Sequence, residues 1–68
     1  MIIELNGRPA ELPEGATVAD AVEEMGVDGE LRGVAVAVDG EVVRKADWGL
    51  TKLRGDQTVE VVRAVQGG

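Results

Sequence analysis

Thr17-Val18-Ala19-Asp20-Ala21-Val22-Glu23-Glu24-Met25-Gly26 is the stretch that reads most clearly as a helix, and its place between two pairs of strand-like segments decides the fold. Thr17 is a good N-cap. Asp20 stands at the capping-box position, where a carboxylate also complements the helix dipole. Val18, Ala21, Val22 and Met25 fall at i, i+3, i+4 and i+7, one apolar stripe, while Asp20, Glu23 and Glu24 face the other way. Gly26 supplies the left-handed stop. A helix of about eight residues is marginal in isolation, so burial of the stripe on a sheet must hold it, and Met25 is expected in the core.

Upstream, Met1-Ile2-Ile3-Glu4-Leu5 is rich in strand formers and is followed by Asn6-Gly7, a strong two-residue hairpin signal. The return strand, residues 8–12, contains Pro9, which cannot donate a ladder hydrogen bond and so belongs on a sheet edge. Pro13-Glu14-Gly15 turns the chain into the helix.

Downstream, residues 27–33 form a polar, glycine-punctuated loop, and Val34-Ala35-Val36-Ala37-Val38 follows as a short apolar strand. This strand is expected either to be buried on both faces or to turn Val to one face and Ala to the other. Asp39-Gly40 reads as a second hairpin turn into Glu41-Val42-Val43. Residues 44–51 have no clear period and room for a single helical turn near Ala46-Asp47-Trp48. Gly55-Asp56 makes the last turn, and residues 58–64 the final strand, with Val59 and Val61 on one face and Glu60 on the other. The order strand, strand, helix, strand, strand, strand implies an α+β two-layer domain, a mixed sheet of four or five strands with one helix packed across it. The final strand and residues 1–5 are the most apolar long strands. The final strand therefore belongs in the centre, and if the two lie side by side and parallel, the tail leaves from the middle of the sheet.

The chain has 68 residues, enough for one domain and too few for a deep catalytic cleft. Cys and His are both absent. Without them the usual nucleophile and general-base constellations cannot be assembled, disulfides are excluded, and a metal site would have to be all oxygen. An enzyme acting alone, or a resident metal, is therefore not expected. The net charge of −6 argues against a nucleic-acid partner and suits a basic protein surface, although it equally well serves only to keep a small domain soluble and monomeric. No apolar run approaches the ~18 residues of a membrane span, and Glu4 interrupts the N-terminus before a signal-peptide core forms. The expectation is a cytoplasmic protein without membrane contact.

Val65-Gln66-Gly67-Gly68 ends the sequence directly after the last strand. Two residues without Cβ fit through channels that any other residue would block. What they deliver is one group, the α-carboxylate of Gly68. A free carboxylate is a poor acyl donor at neutral pH, so the tail becomes chemically useful only when a partner activates it, as an acyl-adenylate would. The tail is expected to be flexible, because it offers almost no apolar area to offset the entropy of ordering. Val61 and Val65 are candidates for an apolar docking patch and Arg44 for a rim charge at a partner, although strand burial and a local salt bridge explain Val61 and Arg44 equally well. Trp48, the one aromatic residue, is either core filler whose indole N–H finds a backbone acceptor or a partner contact.

With that order and that tail the chain resembles the β-grasp family of ubiquitin-like sulfur carriers, in its thiamine-biosynthesis branch. The resemblance covers essentially all 68 residues. Its most specific parts are Val34-Ala35-Val36-Ala37-Val38-Asp39-Gly40-Glu41-Val42-Val43, Arg44 and Trp48 with three residues between them, Gly55-Asp56, and Val65-x-Gly67-Gly68. The resemblance implies a carrier whose Gly68 carboxylate is adenylated by an ATP-dependent, ThiF-like enzyme and converted to a thiocarboxylate with sulfur from a donor. A ThiG-like thiazole synthase then receives the sulfur. It implies no bound cofactor, ATP being consumed by the partner. The small subunit of molybdopterin synthase shares the fold and the Gly-Gly end but is usually longer, and a ubiquitin-like modifier is the alternative from another class. Two positions depart from the family pattern: Ala21-Val22 stands where bulkier leucines are expected, which buries less area, and Asp39 where Asn is common.

Overall fold

The computed structural model describes residues 1–26 and 33–63. Most of the expected 27–33 loop, Ala64 and the tail lie outside the described residues.

β1 (Ile2–Leu5) and β2 (Arg8–Glu11) form an antiparallel hairpin in register Ile2↔Glu11 to Leu5↔Arg8. Its turn has φ of +50° at Asn6 and +80° at Gly7, the pair of left-handed residues that matches the twist of the flanking strands. Pro9 lies on β2, an edge strand, where its missing N–H leaves no gap in the sheet.

α1 (Val18–Glu24) begins as the sequence predicts. Thr17 Oγ1 accepts from the Asp20 N–H at 3.4 Å and Asp20 Oδ2 accepts from the Thr17 N–H at 2.8 Å, a complete capping box. Gly26, at φ +74°, ends the helix with its N–H donating to the Glu23 carbonyl at 2.8 Å. Val18, Ala21 and Val22 are buried, and the small side chains at 21 and 22 close against the sheet without leaving either accessible. Met25 departs from expectation: it is 37 % exposed. It is the C-cap rather than a residue within the helix, so the apolar stripe ends one turn earlier than its spacing suggests and Met25 sits at the rim.

β3 (Val34–Val38) and β4 (Glu41–Val43) form the second hairpin, with φ of +49° at Asp39 and +86° at Gly40. Val36 is buried and Ala35 exposed, so valines face the core and alanines the outer surface. Residues 45–50 form a 3-10 helix, Lys45–Leu50, longer than a single turn. Its three-residue repeat and its one buried side chain, Trp48, account for the lack of a 3.6-residue period. Residues 51–53 then run beside 16–18: the Val18 N–H donates to the Thr51 carbonyl at 3.0 Å and the Leu53 N–H to the Ala16 carbonyl at 2.8 Å.

β5 (Thr58–Arg63) completes a five-stranded sheet in the order β2-β1-β5-β3-β4. It lies parallel to β1 (Glu4↔Thr58, Leu5↔Val59) and antiparallel to β3 (Val34↔Arg63 to Val38↔Val59), so the last strand holds the centre of a mixed sheet, as expected. The core is a single cluster of Ile3, Leu5, Val36, Val59 and Val61 from the strands, Val18, Ala21 and Val22 from α1, and Leu12, Ala16, Trp48 and Leu53 from the connections. Among the described residues no polar or charged side chain is buried. On the opposite face of the sheet the outward side chains Ile2, Val42 and Val62 are exposed.

Candidate functional site

β5 is the strand that leads to the C-terminus, and its period-2 alternation divides it between two tasks. Val59 and Val61 point into the core and Glu60 and Val62 point outward. Val61, a candidate for an exposed patch, is 7 % exposed and belongs to the core; the outward residue of this part of the strand is Val62, at 58 %. The correction was already present in the alternation, because Val62 shares the parity of Glu60. On the outer face the register sets Val62 opposite Ala35, and Ala37 between Glu60 and Val42, which is 76 % exposed. The result is an apolar strip across β5, β3 and β4 with Glu60 within it. A strip of this kind suits a partner surface that is apolar at its centre and basic around it.

Two side chains fix β5 from either side, and sequence reading identified neither role. Asn6 was read as a turn residue. Its carboxamide also spans 55 positions of sequence to Val61: the Val61 N–H donates to Oδ1 at 2.7 Å and Nδ2 donates to the Val61 carbonyl at 3.1 Å. On the other side Asp39 joins the β3–β4 turn to the start of β5. Its Oδ1 accepts from the Thr58 N–H at 3.0 Å and its Oδ2 from Gln57 Nε2 at 3.1 Å. These bonds, the Thr58 N–H first and the Gln57 amide second, hold the Asp39 carboxyl below its ordinary value of 3.8 against an opposing effect of desolvation, with the smallest contribution from the Arg54 charge. A depressed carboxylate contributes stability that is complete above the unfolded value and is lost as pH falls through the folded one. Asp39→Asn keeps the left-handed turn but presents an NH2 to Gln57. Its Tm should lie below that of the wild type at neutral pH, and the gap should narrow as the pH falls below the ordinary carboxyl value of 3.8 and through the lowered folded one. A gap that stays constant into acid would show that the carboxylate clasp carries no stability.

Trp48 is 5 % exposed and its Nε1–H donates to the Val43 carbonyl at 2.9 Å, the arrangement of a core residue; in this structure it offers a partner almost no surface. Arg44 is exposed, with Nε 3.5 Å from Asp47 Oδ2, a rim ion pair of little energetic weight. A shallow concavity lined by Ile2, Ile3, Glu4, Pro9, Asp56 and Thr58 lies at the start of β5, the end of the strand away from the tail. Among the described residues no group of three or more acidic side chains is placed to hold a metal ion, and no helix is long and apolar enough to cross a membrane. Val65, Gln66, Gly67 and Gly68 lie outside the described residues.

A mixed five-stranded sheet with the first and last strands parallel at its centre and one helix across its inner face defines a β-grasp, the ubiquitin-like class of α+β domains. The likeness extends to solved structures. A crystal structure of the thiamine biosynthesis protein ThiS from Geobacter metallireducens superposes over all of both chains with a TM-score of 0.79 at 24 % identity. The solution structure of the thiamine biosynthesis protein from the same organism gives 0.78. In sequence, the chain is 45 % identical over 64 residues to the sulfur carrier protein ThiS of Thermus thermophilus, covering 94 % of this chain and 95 % of that one. A shorter match, 49 % over 37 residues, is to the threonine–tRNA ligase of Thermus thermophilus and spans 6 % of that enzyme. The ThiS family model matches residues 3–68, and the chain belongs to the ThiS family.

Proposed function

We propose that this chain is the sulfur carrier of thiamine biosynthesis, holding sulfur as a thiocarboxylate on Gly68. The observation that carries the proposal is that the ThiS family match runs through Gly67 and Gly68, and so includes the one group able to take up sulfur in a chain without cysteine. In the first step a Gly68 carboxylate oxygen attacks the α-phosphorus of ATP on a ThiF-like activating enzyme. An O–P bond forms and pyrophosphate leaves. A sulfide-level donor then attacks the acyl carbon, a C–S bond forms and AMP departs with one carboxylate oxygen. The thiocarboxylate is a better nucleophile than the carboxylate it replaces and delivers its sulfur to a ThiG-like thiazole synthase. ATP is a substrate of the partner, and the chain itself acts as a substrate rather than a catalyst.

The outer strip of Val62, Ala35, Ala37 and Val42 is the docking face of this reading, with Glu60 meeting a basic group on the partner and the exposed Arg44 at the rim. Exchange of labelled pyrophosphate into ATP, driven by the chain together with its activating enzyme, tests both parts. Val62→Asp should raise the chain concentration needed for half-maximal exchange roughly tenfold while its circular dichroism stays native, because a charge replaces an exposed apolar anchor. A wild-type chain that drives no exchange removes the carrier reading, and an unchanged Val62→Asp variant removes the docking face.

A further inference from the structure

β1 ends at Leu5 because Asn6-Gly7 reverses the chain, yet β5, its parallel neighbour, runs on to Arg63. The ladder between them continues through the Asn6 N–H, which donates to the Val59 carbonyl at 2.9 Å. It would stop there, leaving the next pair of backbone groups on that edge, the N–H and C=O of Val61, without a strand to meet. The Asn6 carboxamide takes the place of the missing residue, with one acceptor and one donor in the pattern a peptide unit would present. On its other edge the same part of β5 is held by β3, through Val36↔Val61 and Val34↔Arg63. Asn6 therefore secures β5 on the side where the sheet gives out, two residues before the last described position of the strand.

We propose that Asn6 is a positioning residue for the reacting terminus, fixing the end of β5 so that the docking face and the C-terminal arm keep one geometry. The inference rests on the sulfur-carrier reading. In that reading a partner must grip the outer strip at Val62 and receive the carboxyl of Gly68 at the same time. Five residues lie between the two, and the six steps span at most about 22 Å when extended. If the end of β5 frays at Val61, the point from which the arm starts is no longer fixed relative to the docked face. Docking then survives because β3 still holds Val62 through its pairing with Ala35, while the carboxylate spends less time in the reactive pose. The expected signature is a fall in kcat for adenylation with little change in KM.

Asn6→Gly is the appropriate variant, since glycine accepts the φ of +50° at this turn and only the carboxamide is lost. Gly7→Ala is its control: the carboxamide stays, and the strain of a Cβ at φ +80° weakens the turn. Both are assayed with the activating enzyme at a temperature where circular dichroism shows each fully folded. Asn6→Gly should lower kcat roughly tenfold with KM within about a factor of two. Its Val61 amide should exchange with solvent at least about fivefold faster. Gly7→Ala should lower Tm and leave kcat near wild type. The proposal is overturned if the kcat of Asn6→Gly is unchanged, if KM carries the change, or if the two variants lose kcat in proportion to their loss of Tm. A wild-type chain that is not adenylated removes the carrier reading and the positioning role with it. Val61 exchange in Asn6→Gly still reports whether the clasp exists, so the two failures are distinguishable.

Discussion

Trp48→Ala is expected to lower the free energy of unfolding by about 3–5 kcal/mol, the usual cost of truncating a large buried aromatic residue. A chain of 68 residues has roughly 3–10 kcal/mol in total at ~0.05–0.15 kcal/mol per residue, so the variant should be largely unfolded or close to it. The reason lies in where the indole sits. It is the one buried side chain of the 3-10 helix, it joins the cluster that includes Val18 and Val22 of α1, and its N–H serves the carbonyl of Val43 at the end of β4. Alanine would leave a cavity where the helical layer meets the sheet and release that carbonyl. Trp48→Phe keeps most of the apolar volume and loses only the donor, so it should cost about 1 kcal/mol. Urea unfolding followed by circular dichroism measures both. A loss below about 1 kcal/mol for Trp48→Ala would mean that the indole is not an essential part of the core.

Gly67→Val should separate activity from stability in the opposite direction. Glycine has no side chain to contribute to a core, and every buried residue among those described lies at or before Val61. Tm should change little. The adenylation rate should fall by on the order of a hundredfold, because two γ-methyl groups next to the reacting residue obstruct a channel sized for glycine and displace the carboxylate from the α-phosphorus. Single-turnover formation of the acyl-adenylate, read beside thermal unfolding, checks the pair of expectations. An unchanged rate would mean that the partner's channel is wide at this position, and a large loss of Tm would mean that the tail packs on the domain.

The local devices of this fold are legible in the sequence because each is set by neighbours along the chain. Asn6-Gly7, Asp39-Gly40 and Gly55-Asp56 all mark turns, each with at least one left-handed residue, and the Thr17/Asp20 capping box starts the helix at Val18. The central place of the last strand was legible too, since it is, with residues 1–5, the most apolar long strand. What escaped is either at a boundary or long in range. Met25 continues the 3.6-residue pattern, but the helix closes before it. Val61 is open in the sequence between strand burial and a surface patch, and the structure places it in the core and Val62 on the outer face. The clasps from Asn6 to Val61 and from Asp39 to Thr58 join residues far apart in sequence, and no periodicity records a side chain standing in for a missing strand residue. The outer apolar strip followed only once register aligned Ala35 with Val62 and Ala37 with Val42.

The measurement that bears most directly on the carrier reading is intact-mass spectrometry of the chain after incubation with ATP, its activating enzyme and a sulfur donor. The account predicts that one oxygen is replaced by one sulfur, that fragmentation places the change on Gly68, and that a chain lacking Gly68 shows none. Sulfur on an internal residue, or a Gly68 carboxyl found in an amide bond to a lysine of another protein, would contradict it.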